Sequence, residues 1–215
     1  MEPMTRLSVR TRGFTLLELL TVLAIIAIIL GMTVPAVNGY LRGQRLASAS
    51  ANLAGELGVA QQVADTTNRS IEVRFYRYAD PETPSSQNLF RAYQLVTHNP
   101  NGSINPNFQL KRLEADVVLS PNKQFSTLLN LTEQTPKDAD PVLPRVGKNY
   151  TFVSFMYLPG DKTSLTKPTS PQDMSGRWCA TLVNEITVSK ADVLPSNFVT
   201  LQIDPYNGSL RLLQP

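Results

Sequence analysis

Residues Phe14–Val34 read FTLLELLTVLAIIAIILGMTV and carry a single charge, Glu18. About 20 apolar residues in a helix span the hydrocarbon core of a bilayer. Arg6, Arg10 and Arg12 precede the run, against Glu2 alone. Basic flanks stay on the cytoplasmic side, so the chain beyond residue 35 is expected on the far side. Pro35 and Gly39 then favour a bend. Beyond them Leu46, Ala49, Leu53, Leu57, Ala60 and Ala64 recur at spacings of three and four, a helical stripe. Arg42, Arg45, Ser48, Asn52, Glu56 and Gln62 fill the polar face. The reading is one helix over 14–65, bent near 35 and on the order of 75 Å long. Its first half is apolar all round and its second half is amphipathic.

After Asn68 the apolar period changes to two. Ile71, Val73 and Phe75 alternate with Glu72, Arg74 and Tyr76. Further β-rich runs are Leu89–Thr97, Leu110–Leu119, Tyr150–Leu158, Trp178–Ile186, Phe198–Ile203 and Ser209–Leu213. Asp204-Pro205-Tyr206-Asn207-Gly208 reads as a hairpin loop between the last two. Residues 79–88, 98–107 and 131–148, with 160–176 as a fourth, read as long loops, and 123–130 as one short helix. The fold class is therefore α+β: a long bent helix whose second half packs on a small antiparallel sheet. The expected parts are a leader at 1–13, a membrane or filament-core helix at 14–36, an amphipathic helix at 37–66 and a β head at 67–215.

The 215 residues are 42% hydrophobic and 17% charged, a globular composition. The formal charge of +3 comes largely from the first twelve residues; the rest holds 17 basic and 16 acidic side chains. No basic stripe points to nucleic acid. The single cysteine, Cys179, excludes an intramolecular disulfide; beside Trp178, Ala180 and Leu182 it reads as a buried core thiol. The single histidine, His98, stands before the turn Asn99-Pro100-Asn101-Gly102 and reads as a solvated loop residue. One His and one Cys give neither a nucleophilic triad nor an ordinary zinc site. Asp138 with Asp140, and Asp80 with Glu82, offer carboxylate oxygens of the kind calcium takes, without EF-hand spacing. No phosphate-binding glycine loop is present.

The boundary Arg12-Gly13-Phe14-Thr15-Leu16-Leu17-Glu18 resembles the processing motif of type IV prepilins and type II secretion pseudopilins, closely so over residues 12–36. Gly13 has no side chain, so the backbone there enters a narrow protease site. The resemblance implies cleavage between Gly13 and Phe14 by a membrane prepilin peptidase, which also methylates the new amine of Phe14. An ionisable group in a membrane helix is costly and is read as functional. Cleavage puts an ammonium one turn from Glu18, and the resemblance implies that this carboxylate pairs with it or with the next subunit's amine to set the axial register. It further implies that the segment around Pro35 loses helical order on assembly. No cofactor is implied; calcium in a distal loop is the one metal chemistry these residues leave open.

By the same resemblance the chain is a structural subunit, not an enzyme: a minor pilin or pseudopilin of a type IV pilus or type II secretion-like filament. Its partners would be the peptidase, other pilin subunits, an assembly platform and its ATPase, and the membrane. It would sit first as a single-pass inner-membrane protein with a cytoplasmic N-terminus, then in the filament. The distal half resembles minor pseudopilins of the GspH type, and the whole chain resembles the pseudopilin-like cassette protein D group of Verrucomicrobia. Glu18 sets it apart from the tip subunit that lacks this residue. Two alternatives stand beside this. One is an exported or anchored ligand-binding domain cut near Val34-Pro35-Ala36, where the apolar run is only a signal peptide. Against it, the run exceeds an ordinary signal core and the amphipathic helix needs no break at 36. The other is a specialised filament whose distal loops, near Arg91, Tyr93 and His98, bind DNA or a surface ligand.

Overall fold

The computed structural model describes residues 13–82, 86–99, 104–105, 109–138, 140–169, 177–188 and 193–215, apart from the side chains of residues 32–36. The leader before Gly13, the middle of the 98–107 loop and much of the 160–176 loop lie outside the described residues. The chain divides into two compact units that meet between Leu41 and Arg42.

Helix α1, Leu16–Thr67, has 52 residues and runs past Pro35 without a break. The bend expected near 35 lies among residues 32–36, outside the residues whose side chains are described. Both helix ends have local causes. At the start, the Thr15 carbonyl accepts the Leu19 N–H at 3.1 Å and the Thr15 hydroxyl accepts the Glu18 N–H at 3.2 Å, which makes Thr15 the N-cap. At the end, Asn68 takes a left-handed φ of 51° and the Arg69 N–H reaches back to the Ala64 carbonyl at 3.2 Å. That bond closes a Schellman motif and satisfies one of the last carbonyls.

In the first unit the helix carries its apolar side chains outward on every side. Leu16, Leu17, Leu19, Leu20, Leu23 and Ile28 are all more than half exposed. Among the described residues no helix is long and apolar enough to cross a membrane.

In the second unit the remainder of α1 packs on an antiparallel sheet. Leu46, Ala49, Leu53, Leu57, Ala60 and Ala64 are buried. They share one cluster with Ile71, Val73, Phe75, Val153, Phe155, Leu182, Leu201 and Ile203. The expected stripe is thus the core-facing row of the helix. Each such Leu contributes roughly 1.5–3 kcal/mol by leaving water.

The strands are β1 (Ile71–Tyr78), β2 (Leu89–His98), β3 (Ile104–Asn105), β4 (Lys111–Arg112), β5 (Val117–Leu119), β6 (Thr151–Leu158), β7 (Lys162–Thr163), β8 (Trp178–Asn184), β9 (Phe198–Ile203) and β10 (Leu210–Leu213). Their order is β10-β9-β8-β5-β2-β1-β6-β7, with β3 and β4 also on β2, and every pairing is antiparallel. The run expected at Leu110–Leu119 is two strands, β4 and β5, separated by Asp116 at a left-handed φ of 65°. The short helix expected at 123–130 is a 3-10 turn, Thr127–Asn130. Short strands β3 and β7 fall inside stretches expected to be loops; two residues cannot show a period.

The stretch 131–148, expected as a long loop, folds over the sheet face opposite α1. Gln134 exchanges backbone hydrogen bonds of 2.8 and 2.9 Å with Phe152. Leu143 and Tyr150 pack with Tyr76, Tyr78, Ala92 and Phe152. Strand β1 is therefore buried on both faces.

The two ends of the sheet approach each other at the β9–β10 loop. The Thr163 hydroxyl donates to the Pro205 carbonyl at 2.9 Å, and Gln61 of α1 bridges the Asn207 carbonyl and the Asp161 carboxylate. Gly208 sits there with φ +71°, and a Cβ on it would lie 2.8 Å from the Tyr157 ring. Both the backbone angle and the space require glycine. Gly208→Ala is expected to destabilise the protein by about 2 kcal/mol or more, read as a lowered denaturant midpoint with unchanged slope.

Candidate functional site

Two places bring functional groups together: the start of α1 and the outer face of β1.

At the first, Gly13 and Phe14 precede the helix. No heavy atom would come within 4 Å of a Cβ on Gly13, and Phe14 is 81% exposed. The Gly13–Phe14 bond is thus non-helical and open. Glu18 is the third helical residue, and its backbone N–H is taken by Thr15. Its carboxylate has no partner among the described residues. An acidic group in the first turn suits the positive end of the helix dipole, where an ammonium is disfavoured unless a carboxylate offsets it. Thr15 was not singled out in the sequence, although Thr15-x-x-Glu18 has the spacing of a capping box. The side chain of Pro35, the remaining residue expected to act in assembly, lies outside the described residues.

At the second place Arg74 is buried between two carboxylates, 2.9 Å from Glu72 and 2.6 Å from Asp140. Its guanidinium stacks on Phe152 at 4.4 Å. Glu72 also meets His98 Nε2 at 2.8 Å, and Asp140 accepts the Lys137 N–H at 2.6 Å. Burial pushes the Glu72 carboxyl up, but Arg74, with hydrogen bonds from Ser154 and His98, holds it below its ordinary value. Asp140 is likewise lowered: the Lys137 N–H and Arg74 outweigh burial. Burial likewise opposes the Arg74 charge, and the two carboxylates outweigh it, raising its pKa.

Several expectations change here. His98 ends β2 and is tied to Glu72, so it is not a solvated loop residue. Cys179 is only partly buried, because the alternation that sends Trp178, Ala180 and Leu182 to the helix side sends it to the other. Its Sγ lies 3.3 Å from the Phe125 carbonyl. The calcium-type oxygens are otherwise engaged. Asp140 serves Arg74 and Lys137, and Asp80 accepts the Glu82 N–H at 3.1 Å. Among the described residues no group of acids, His and Cys could hold a metal ion. Arg91 forms a two-bond pair with Glu185 at 2.6 and 2.5 Å, and the Tyr93 ring packs in the core. Neither stands in a ligand-binding loop.

The comparisons with known proteins bear on the first place. Residues 9–34 match the family described as Prokaryotic N-terminal methylation motif, a span that contains Gly13, Phe14 and Glu18. Among solved structures the chain is similar to the minor pseudopilin EpsH from the Type 2 Secretion System of Vibrio cholerae. The identity is 11% and the TM-score 0.44, with 80% of this chain and 98% of that one covered. No curated protein matches the chain.

The ion cluster makes a pH prediction. Glu72 and Asp140 have folded pKa values below their unfolded ones. Their contribution is therefore complete above the unfolded carboxylate range of about 4 to 4.5 and is lost as pH falls from there through the lower folded values. Asp140→Asn is expected to lower stability by about 2 kcal/mol at pH 7 and to flatten part of the acid-side loss. Urea unfolding from pH 2 to 7 measures both.

Proposed function

We infer that this chain, type IV pilin-like in its motif and its fold, is a structural subunit of a pilus or pseudopilus and is cut between Gly13 and Phe14 before assembly. The observation that carries this is the start of α1. A capped helix exposes apolar side chains all round, with one carboxylate in its first turn and an open glycine bond just before it. Such a helix needs lipid before assembly and neighbouring helices after it.

The parts divide the work. Residues 1–13 are the leader, held in the cytoplasm by Arg6, Arg10 and Arg12. Residues 14–36 anchor the chain in the inner membrane and later form filament core. Residues 37–66 support the head, and 67–215 are the head on the far side. Prepilin peptidase removes the leader and methylates Phe14, and the mature helix packs beside those of other subunits. An assembly platform and its ATPase supply the work of extraction.

Glu18 is the register residue. Buried without a counter-charge it costs several kcal/mol; paired with the Phe14 ammonium, its own or a neighbour's, most of that cost is offset. Pro35 marks where helical order is given up on packing.

Co-expression with a prepilin peptidase and mass spectrometry of the mature protein tests the processing. The expected product begins at N-methylated Phe14. A product beginning at Val37 would instead mean an exported soluble head. Glu18→Gln is expected to leave cleavage intact and reduce filament yield about ten-fold or more, scored on sheared filaments.

A further inference from the structure

The outer face of the sheet is covered unevenly. Residues 131–150 lie over β1 and β6, and the segment around the 3-10 turn lies over β8. That segment is held by the Thr127 hydroxyl, which accepts the Cys179 N–H at 2.8 Å, and by the Thr181 hydroxyl, which donates to the Phe125 carbonyl at 2.5 Å. Strands β9 and β10 extend past this cover. Cross-strand neighbours there form two rows, Cys179–Gln202–Arg211 and Thr181–Thr200–Leu213. A cleft of about 580 Å³ opens between the wall and these rows, lined by Lys123, Thr127, Cys179, Gln202 and Leu213 among others. A second cleft continues along the same strands past Arg211 to Tyr206.

The rim of this shelf is a strand edge. β10 pairs with β9 alone, so its other backbone edge has no strand beside it among the described residues. Natural edges are blunted by brevity and charge. β10 is four residues long and carries Arg211, yet Leu212 and Leu213 are 44% and 49% exposed. The charge is one-sided. Lys123 and Arg211 have no ion-pair partner among the described residues. Asp204 is the one carboxylate among the described residues lining either cleft, and its Oδ1 accepts the Tyr206 N–H at 2.8 Å.

We propose that β10 is an acceptor edge for an extended acidic segment of another protein. The segment adds as a strand, its carboxylates meet Arg211 and Lys123, and an aliphatic side chain enters the cleft beside Leu213. Backbone hydrogen bonds supply affinity in such strand addition, and alternate side chains supply selectivity. Charge decides the occupant: a second copy brings its own Arg211 to the edge, whereas an acidic strand neutralises this one. The proposal does not depend on cleavage at Gly13.

The test uses the full chain in detergent micelles. The probe is a dye-labelled, end-capped octapeptide alternating glutamate and valine, with a lysine–valine peptide as control. Fluorescence anisotropy is expected to show binding of the acidic peptide only, weakening with salt. Hydrogen exchange is expected to slow at residues 210–213. Arg211→Glu is expected to weaken binding about ten-fold, while Arg145→Glu, on the segment that covers β1, leaves it unchanged. Failure of the acidic peptide to bind, equal binding of both peptides, exchange unchanged at β10, or self-association of the chain through β10 would each overturn the proposal.

Discussion

One helix has to satisfy two burial demands. The row Leu46–Ala64 on α1 is closed off from water by the sheet, and that packing fixes the inward set on β1, β6, β8 and β9. The earlier turns of the same helix offer apolar side chains to every side, with nothing in their own unit to cover them. A globular domain resolves such surface internally. Here it stays uncovered within its own unit.

Much of this was legible before any coordinates. The helix was placed over 14–65 and occupies Leu16–Thr67, and all six stripe residues are buried. Strong periods over many residues carry that information. The long strands were legible for the same reason, and β9 matches its expected span. The losses lie where no period can form. β3 and β7 have two residues each, and the break between β4 and β5 rests on one left-handed Asp116. At the candidate site Gly13, Phe14 and Glu18 were readable as a motif, since the chemistry is local. Thr15 was overlooked because its role is a backbone bond, visible only once the helix start is known. Cys179 was misplaced although its parity was in the sequence: an alternating strand that buries Trp178 and Ala180 turns the residue between them away.

The outer face of β1 shows a second kind of illegibility. Glu72, Arg74 and Tyr76 have the pattern of a wet face, but the segment 131–150 covers them. No local signal in that Pro- and Asp-rich stretch announces a cover. What permits it is charge balance: Arg74 enters the interior only because carboxylates from its own strand and from Asp140 come with it. Such pairs specify which segment lies where, since any other placement leaves a buried guanidinium without a counter-charge.

The meeting of the sheet ends at Gly208 sets an order of events. The loop that seals the head against Tyr157, Thr163 and Gln61 lies within the last dozen residues. β8 and β9 in turn supply Trp178, Ala180, Leu182, Leu201 and Ile203 to the cluster around α1. The first helix to be synthesised is therefore completed as a core element by the last strands to appear. Contacts that distant in sequence close slowly, after a large loss of chain entropy. Until then the row Leu46–Ala64 stays partly wet, so the nascent chain is a natural client for chaperones, and a product truncated before β9 has an unfinished core that quality-control proteases can recognise.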